Sequence, residues 1–369
     1  MESQRRRVVK RDLTQVHQKN GNTHLLKQST KKDKLTILQT WFCAEYVTVD
    51  KVPEQYQEPF ILTGYRQPHS SFLYCIVSAF RLNNETLNIW THFIPFVAFI
   101  VYFWKTSPSQ QLWTMTATEP LYYPLIAEEI SILAYHLCST IAHTFNCMSP
   151  RVRHICFYLD YAAISLYGIG VGCSTVHYSW PVNSKLFLFQ YPSYYIRFCS
   201  VLCIVVMYVM CASRHKWAKV KYVVRTLAYM SMFVYTNSPT FYRFWRYLLN
   251  DEDDHLSLSY TFVGWSAYVV AAVLNPSRLP ERYSPRTFDI VGHNHQLLHV
   301  LVTLASLLHL WAVQLDIVER RTQMEDLSLR ELNSSLEWTF GTLIVTLAIA
   351  LWFSVKLTPS GHLKTDQSQ

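Results

Sequence analysis

The sequence predicts an all-α polytopic membrane protein, and three observations carry that reading. Half of the 369 residues are hydrophobic and only 16% are charged, where a soluble domain carries about 25%. Apolar runs recur along most of the chain, each near the roughly 20 residues that a helix needs to cross the hydrocarbon of a bilayer. Backbone N–H and C=O groups in lipid must pair within their own segment, so runs of this length should be helices.

Taken in order, eight spans are expected near 86–104, 123–145, 155–176, 193–212, 221–240, 257–275, 295–314 and 336–356. The chain ahead of them differs in kind. Residues 1–52 include MESQRRRVVKR and KQSTKKDK, which are basic, polar and poor in aromatics. They hold no apolar h-region of a secretory signal. They read as a flexible cytoplasmic tail, free in solution or held near anionic lipid by charge. Residues 53–85 form a second cytoplasmic segment. Its apolar stretch Ser70–Phe80 is too short to cross and suits an interfacial helix. Residues 86–314 make the transmembrane core, 315–335 an outer loop, 336–356 the eighth span and 357–369 a cytoplasmic tail.

Charge sets the orientation. With the amino terminus inside, the inner loops 146–154, 213–220 and 276–294 hold Arg151, Arg153, Arg214, Lys216, Lys219, Arg278, Arg282 and Arg286, and one outer loop holds the acidic run Asp251–Asp254. This is the positive-inside pattern. The net charge of +8 is thereby assigned to topology, and no basic groove interleaved with aromatics points to a nucleic acid. The nine cysteines contain no CxxC pair and read as small core residues. Asn333-Ser334-Ser335 is a glycosylation sequon close to the eighth span, and its use is left open.

Ionisable residues inside a span cost at least about 2–3 kcal/mol and are functional candidates. Span two ends with Ser139 and His143 one turn apart, span three opens with Asp160, and span seven opens with His295 and His299 at i and i+4. The topology puts all of them at one depth in the cytoplasmic leaflet. A histidine pair at i, i+4 presents two nitrogens on one face. His143 completes a three-nitrogen zinc site with a fourth position left for water, the layout of a catalytic centre. Asp160 would hold that water or orient a histidine, and Ser139 would bond the same water or a substrate oxygen. The competing reading makes these interfacial histidines bonded to backbone or lipid. His92 and His136 read as core histidines, His309 as too far along span seven to join, and His293 as facing elsewhere. Glu128 and Glu129 are expected at a wet interface, and Arg225 to snorkel near a span end.

The block Phe80-Arg81-Leu82-Asn83-Asn84-Glu85-Thr86-Leu87-Asn88-Ile89-Trp90-Thr91-His92 resembles the F-R-x-x-x-E-T-x-N-I-W-T-H motif of the progestin and adipoQ receptor (PAQR) family. Ser139 to His143, Leu159-Asp160-Tyr161, Leu279-Pro280-Glu281-Arg282 with Phe288-Asp289-Ile290, and His295-Gln296-Leu297-Leu298-His299 follow in the family's order. Within the family, Gly64-Tyr65-Arg66, Met148-Ser149-Pro150-Arg151, Gly292-His293-Asn294-His295 and the eighth span are most similar to the membrane progestin receptors.

The resemblance implies a seven-helix core with a cytosolic amino terminus. It implies zinc on His143, His295 and His299, Asp160 reaching it through water, and Ser139 alongside. It further implies a steroid (progestin) receptor at the plasma membrane, giving rapid non-genomic signalling through a G protein. The alternative is a zinc-dependent lipid amide hydrolase acting on a sphingolipid, as adiponectin receptors do on ceramide. A third reading makes zinc purely structural.

Overall fold

The computed structural model describes residues 46–105, 120–181, 184–217, 219–249, 256–324 and 328–363. The basic residues up to 45 and the acidic run Asp251–Asp254 lie outside them. Ten α-helices follow one another among the described residues: α1 Phe72–Ser78, α2 Thr86–Lys105, α3 Tyr123–Phe145, α4 Pro150–Tyr178, α5 Pro192–Ala212, α6 Lys221–Thr236, α7 Ser238–Leu248, α8 Leu256–Ser277, α9 Asn294–Glu319 and α10 Leu329–Val355. Several starts are chemically marked. Ser149 caps α4 by accepting from Val152 N ahead of Pro150, whose missing N–H costs nothing at the first helical position. Ser328 and Glu331 form a capping box on α10, satisfying two donors that a helix start leaves unpaired.

Seven of these helices (α2, α3, α4, α5, α8, α9 and α10) are long and apolar enough to cross a membrane. The segment expected as the span 221–240 departs from this. It forms two shorter helices, α6 and α7, that meet at Asn237. Pro239 explains the break, because it has no N–H to donate back to Tyr235 and its ring crowds the preceding turn. The pair still runs the length of the bundle. Arg225 of α6 bonds Ser213 at the end of α5, and Arg243 of α7 bonds Asp316 near the far end of α9.

α4 is the central helix. Its apolar window is 78% buried, against 28% for α10 and 33% for α2, whose outer faces carry exposed Ile94, Trp104, Ile344, Leu351 and Val355. α3 packs along α4, α8 along α9, and α10 against α4 and α5. Close approach to α3 needs Gly170, where a Cβ would lie 2.4 Å from Ser131 Oγ and 3.1 Å from Glu128 Cα. Without a hydrophobic driving force in lipid, such small-residue contacts supply much of the helix association. α9 and α10 extend into the region expected as an outer loop, leaving Arg320–Ser328 as the connection. Asn333 falls within α10, with the sequon's Ser335 buried.

Residues 47–65 carry contacts of their own. Val47 bridges to Tyr65, and Val52, Tyr56, Ile61 and Tyr65 form a small core. α1 exposes Phe72 and Leu73 on one side and buries Cys75 on the other. The eight described cysteines are free thiols, seven of them buried.

Candidate metal centre and ligand cavity

The end of α3 and the start of α9 bring three imidazoles together. One nitrogen each of His143, His295 and His299 lie within 4.8 Å of one another. Nε2 of His295 is 3.2 Å from Nε2 of His143 and 3.2 Å from Nε2 of His299. Zinc bound by nitrogens at 2.0–2.1 Å in a tetrahedron sets its ligand atoms about 3.3 Å apart. The spacing therefore fits.

Protonation strengthens the fit. His143 Nδ1 lies 2.8 Å from Glu85 Oε2. A carboxylate only accepts, so Nδ1 carries the proton and Nε2 keeps its lone pair. Thr91 Oγ1 donates to Leu87 O at 2.6 Å and so accepts from His299 Nδ1 at 3.1 Å. That fixes the same tautomer on His299. His295 has one Nε2 to place against two facing lone pairs, and a single N–H satisfies only one of them. A cation at the centre satisfies all three.

A second layer holds these rings. Glu85 also accepts from Asn88 Nδ2 at 2.7 Å and Asn146 Nδ2 at 2.6 Å. Arg66, 4% exposed, bonds Asn146 Oδ1 and the carbonyls of His143 and Thr144. Burial pushes the Glu85 carboxyl up, but the adjoining His143 with its hydrogen bond, the Arg66 charge and the Asn88 hydrogen bond outweigh it and hold the group below the usual carboxylate range. Hydrogen-bonded carboxylates behind metal-binding histidines orient the ring and raise its basicity. Sequence reasoning singled out neither Glu85 nor Thr91, although both stand in the Glu85-Thr86-x-Asn88 to Thr91 block. Glu85 directly before an apolar span was the available signal.

Asp160 and Ser139 line the same cavity as the three histidines. Asp160 is buried, and its Oδ1 has no hydrogen-bond partner. A buried carboxylate oxygen without a hydrogen-bond partner is costly, and Asp160 stands outside the three-nitrogen group.

Other expectations meet mixed outcomes. His92 does lie in the core, with Nδ1 2.7 Å from His136 Nδ1, but its ring also packs 4.1 Å from that of His299 and lines the cavity. His136 is fully buried with an unpartnered Nε2, so it is not the satisfied core histidine expected. His293 caps α9 and faces Asn84 O at 3.1 Å. Glu128 and Glu129 are not at a wet interface. They are 0% and 3% exposed, because α4 and α9 close over that face of α3. Glu128 Oε1 meets His309 Nδ1 at 2.8 Å.

The cavity holds about 800 Å³, within the range of ligand sites. It starts beside the histidines and runs between α3, α4, α6, α8 and α9. Its walls include Met232, Phe233 and Val302. Along its walls lie linked hydroxyls: Tyr167 to Tyr268 at 2.9 Å, Tyr268 to Ser306 at 3.5 Å, and Tyr135 to Ser306 at 3.2 Å.

Residues 80–310 match the Haemolysin-III related family. The chain is 35% identical to the membrane progestin receptor delta of Homo sapiens, over 82% of this chain and 87% of that protein. It is 31% identical to the human membrane progestin receptor gamma, over 84% and 90%, and 28% identical to the human beta protein, over 72% and 74%. With these motifs in order across the helical core, the chain belongs to the Haemolysin-III related (PAQR) family, in the branch of the membrane progestin receptors.

Proposed function

We propose that this chain is a membrane receptor for a progestin-like steroid, with a zinc site at one end of its ligand cavity. The observation that carries the reading is the cavity itself. Aromatic and apolar walls surround a volume of about 800 Å³ and carry the Tyr135, Tyr167, Tyr268 and Ser306 hydroxyls. A rigid apolar ligand with a terminal ketone matches such a site: the walls take its rings, and a buried hydroxyl donates to its oxygen. The names of the relatives support the same ligand class. Binding would shift a population between two helix arrangements, to be read at the inner face by a G protein.

The proposed placement is a multi-pass protein of the plasma membrane with residues 46–85 on the cytoplasmic side. α6 and α7 act together as one broken crossing, which makes eight. The basic residues gathered at the metal end support this orientation.

The test is saturable binding of tritiated progesterone to the purified chain in nanodiscs. Tyr268→Phe and Ser306→Ala should each weaken binding about 5–15-fold, the equivalent of one hydrogen bond of about 1–1.5 kcal/mol. Absence of saturable binding in folded wild-type protein rejects the receptor reading.

Hydrolysis of a lipid amide is the second reading, favoured by a buried Asp160 with an unpartnered Oδ1 that lines the same cavity as the histidine group. Bound zinc would supply Lewis acidity toward an amide carbonyl. Asp160 would take a proton from the attacking water, and Ser139 would donate to the carbonyl oxygen. Ceramide turnover that vanishes on zinc removal supports this reading. Full zinc loading with no turnover leaves zinc as a staple between α3 and α9.

A further inference from the structure

The metal end of the cavity is strongly basic. Arg153, Arg214, Lys216, Lys221, Arg225 and Arg278 all line it, drawn from α4, the α5–α6 turn, α6 and the end of α8. The carboxylates that line this end are Glu54, Glu58, Glu85 and Asp160; Glu58 is engaged by Arg153 at 2.9 Å and Glu85 by His143 at 2.8 Å. Among the described residues, Arg214, Lys221, Arg225 and Arg278 have no carboxylate within ion-pair distance. Their charge is spread over aromatic faces instead: Arg214 lies 4.4 Å from the Phe157 ring centre, Arg225 5.6 Å from Tyr161, and Arg278 3.8 Å from Tyr222.

Arg278 is the telling member. It is 8% exposed, its Nε is buried with no hydrogen-bond partner, and its backbone takes φ 59° just after α8. Orientation explains basic residues in inner loops, but it does not explain a guanidinium side chain that is 8% exposed, lines the cavity and keeps one donor without a partner. A buried charge normally has a partner. Guanidinium groups match phosphate oxygens geometrically, and basic pockets between helices at a membrane face hold phosphate head groups.

We infer that the basic mouth around Arg278, Arg225 and Lys221 binds the phosphate of a single-tailed amphiphile whose tail runs up the cavity. The apolar walls beyond the mouth favour a lipid over free phosphate. The site does not depend on the steroid reading, and its test involves no steroid.

The purified full chain in detergent would be titrated with lysophosphatidic acid, with lysophosphatidylcholine of the same tail, and with inorganic phosphate, while its Tm and intrinsic fluorescence are followed. Saturable stabilisation by lysophosphatidic acid, at least 10-fold tighter than by either other probe, is expected. Arg278→Gln and Lys221→Gln should each weaken it at least 5-fold, and Arg278→Lys should restore part of the loss. Lys221→Gln alters an intermediate-burial position at the rim and keeps the test decisive if Arg278→Gln fails to fold. Equal binding of the two lysolipids, or wild-type affinity in both glutamine variants, overturns the inference. Inorganic phosphate binding as tightly as the lipid overturns the assignment to an amphiphile.

Discussion

The sharpest perturbation of the proposed metal centre is Glu85→Gln, which keeps the shape of the side chain and removes one acceptor. Both carboxylate oxygens are in use: Oε2 accepts from His143 and Asn88, and Oε1 from Asn146. A glutamine has only one oxygen. Turned toward His143, its NH2 group drives the proton from Nδ1 to Nε2 and removes the lone pair that faces the metal. Turned toward Asn146, it sets two donors against each other in a buried site. Hydrogen bonds to charged groups contribute about 1.5–3 kcal/mol each. Mutating such partners lowers metal affinity about 10–100-fold, which corresponds to about 1.4–2.7 kcal/mol. The expected result is a zinc Kd raised by that factor, measured by competition with a chromophoric chelator on purified protein. Thr91→Val, whose single contact with the metal group is the His299 bond at 3.1 Å, should cost less. Wild-type zinc affinity in Glu85→Gln, alongside lost zinc in His295→Ala, would refute the positioning role while leaving the metal site standing.

Asp160→Asn should keep its zinc, since its oxygen is outside the three-nitrogen group. It should lower any zinc-dependent amide turnover at least 100-fold, as lipid product analysis would show. Zinc content should fall on acidification. Ligation needs neutral imidazole, so protons compete with the metal for three nitrogens; dialysis over a falling pH series with elemental analysis reads this. Asp316→Asn should destabilise the fold by about 1.5–3 kcal/mol, because the buried carboxylate that accepts from Arg243 at 2.9 Å and from Ser257 at 2.7 Å loses its charge. Thermal unfolding in detergent is the check.

The helices were legible because lipid imposes one length and one backbone solution on every crossing. That constraint fails at Lys221–Leu248, where the apolar run predicted an unbroken span. Pro239 and the buried Arg243 belong to a chain that bends and finds an internal partner in Asp316, and a partner so distant in sequence cannot be read from a local window. For the centre, the spacing of His295 and His299 predicted a shared face, and the topology predicted His143 beside them; the structure brings all three nitrogens together. The roles of Glu85 and Arg66 were missed for a different reason, although the position of Glu85 before an apolar span was a signal. Their role lies in hydrogen bonds to His143 and Asn146, which no periodicity encodes.

α9 shows how far one stripe can carry an argument. His295, His299, Val302, Ser306 and His309 succeed one another at intervals of four, three, four and three residues, which keeps them on one helix face. All five line the cavity. Fourteen residues at 1.5 Å each span about 21 Å, so the single stripe reaches from the imidazole cluster to the Glu128–His309 pair. His309 was judged too distant to join the metal, and that distance is what matters about it. A ligand lying along this face would touch the metal end and the hydroxyl end of the same rigid helix. A shift of α9 made for either end is therefore felt at the other, which is the physical basis on which a bound steroid and a bound metal would influence each other's affinity.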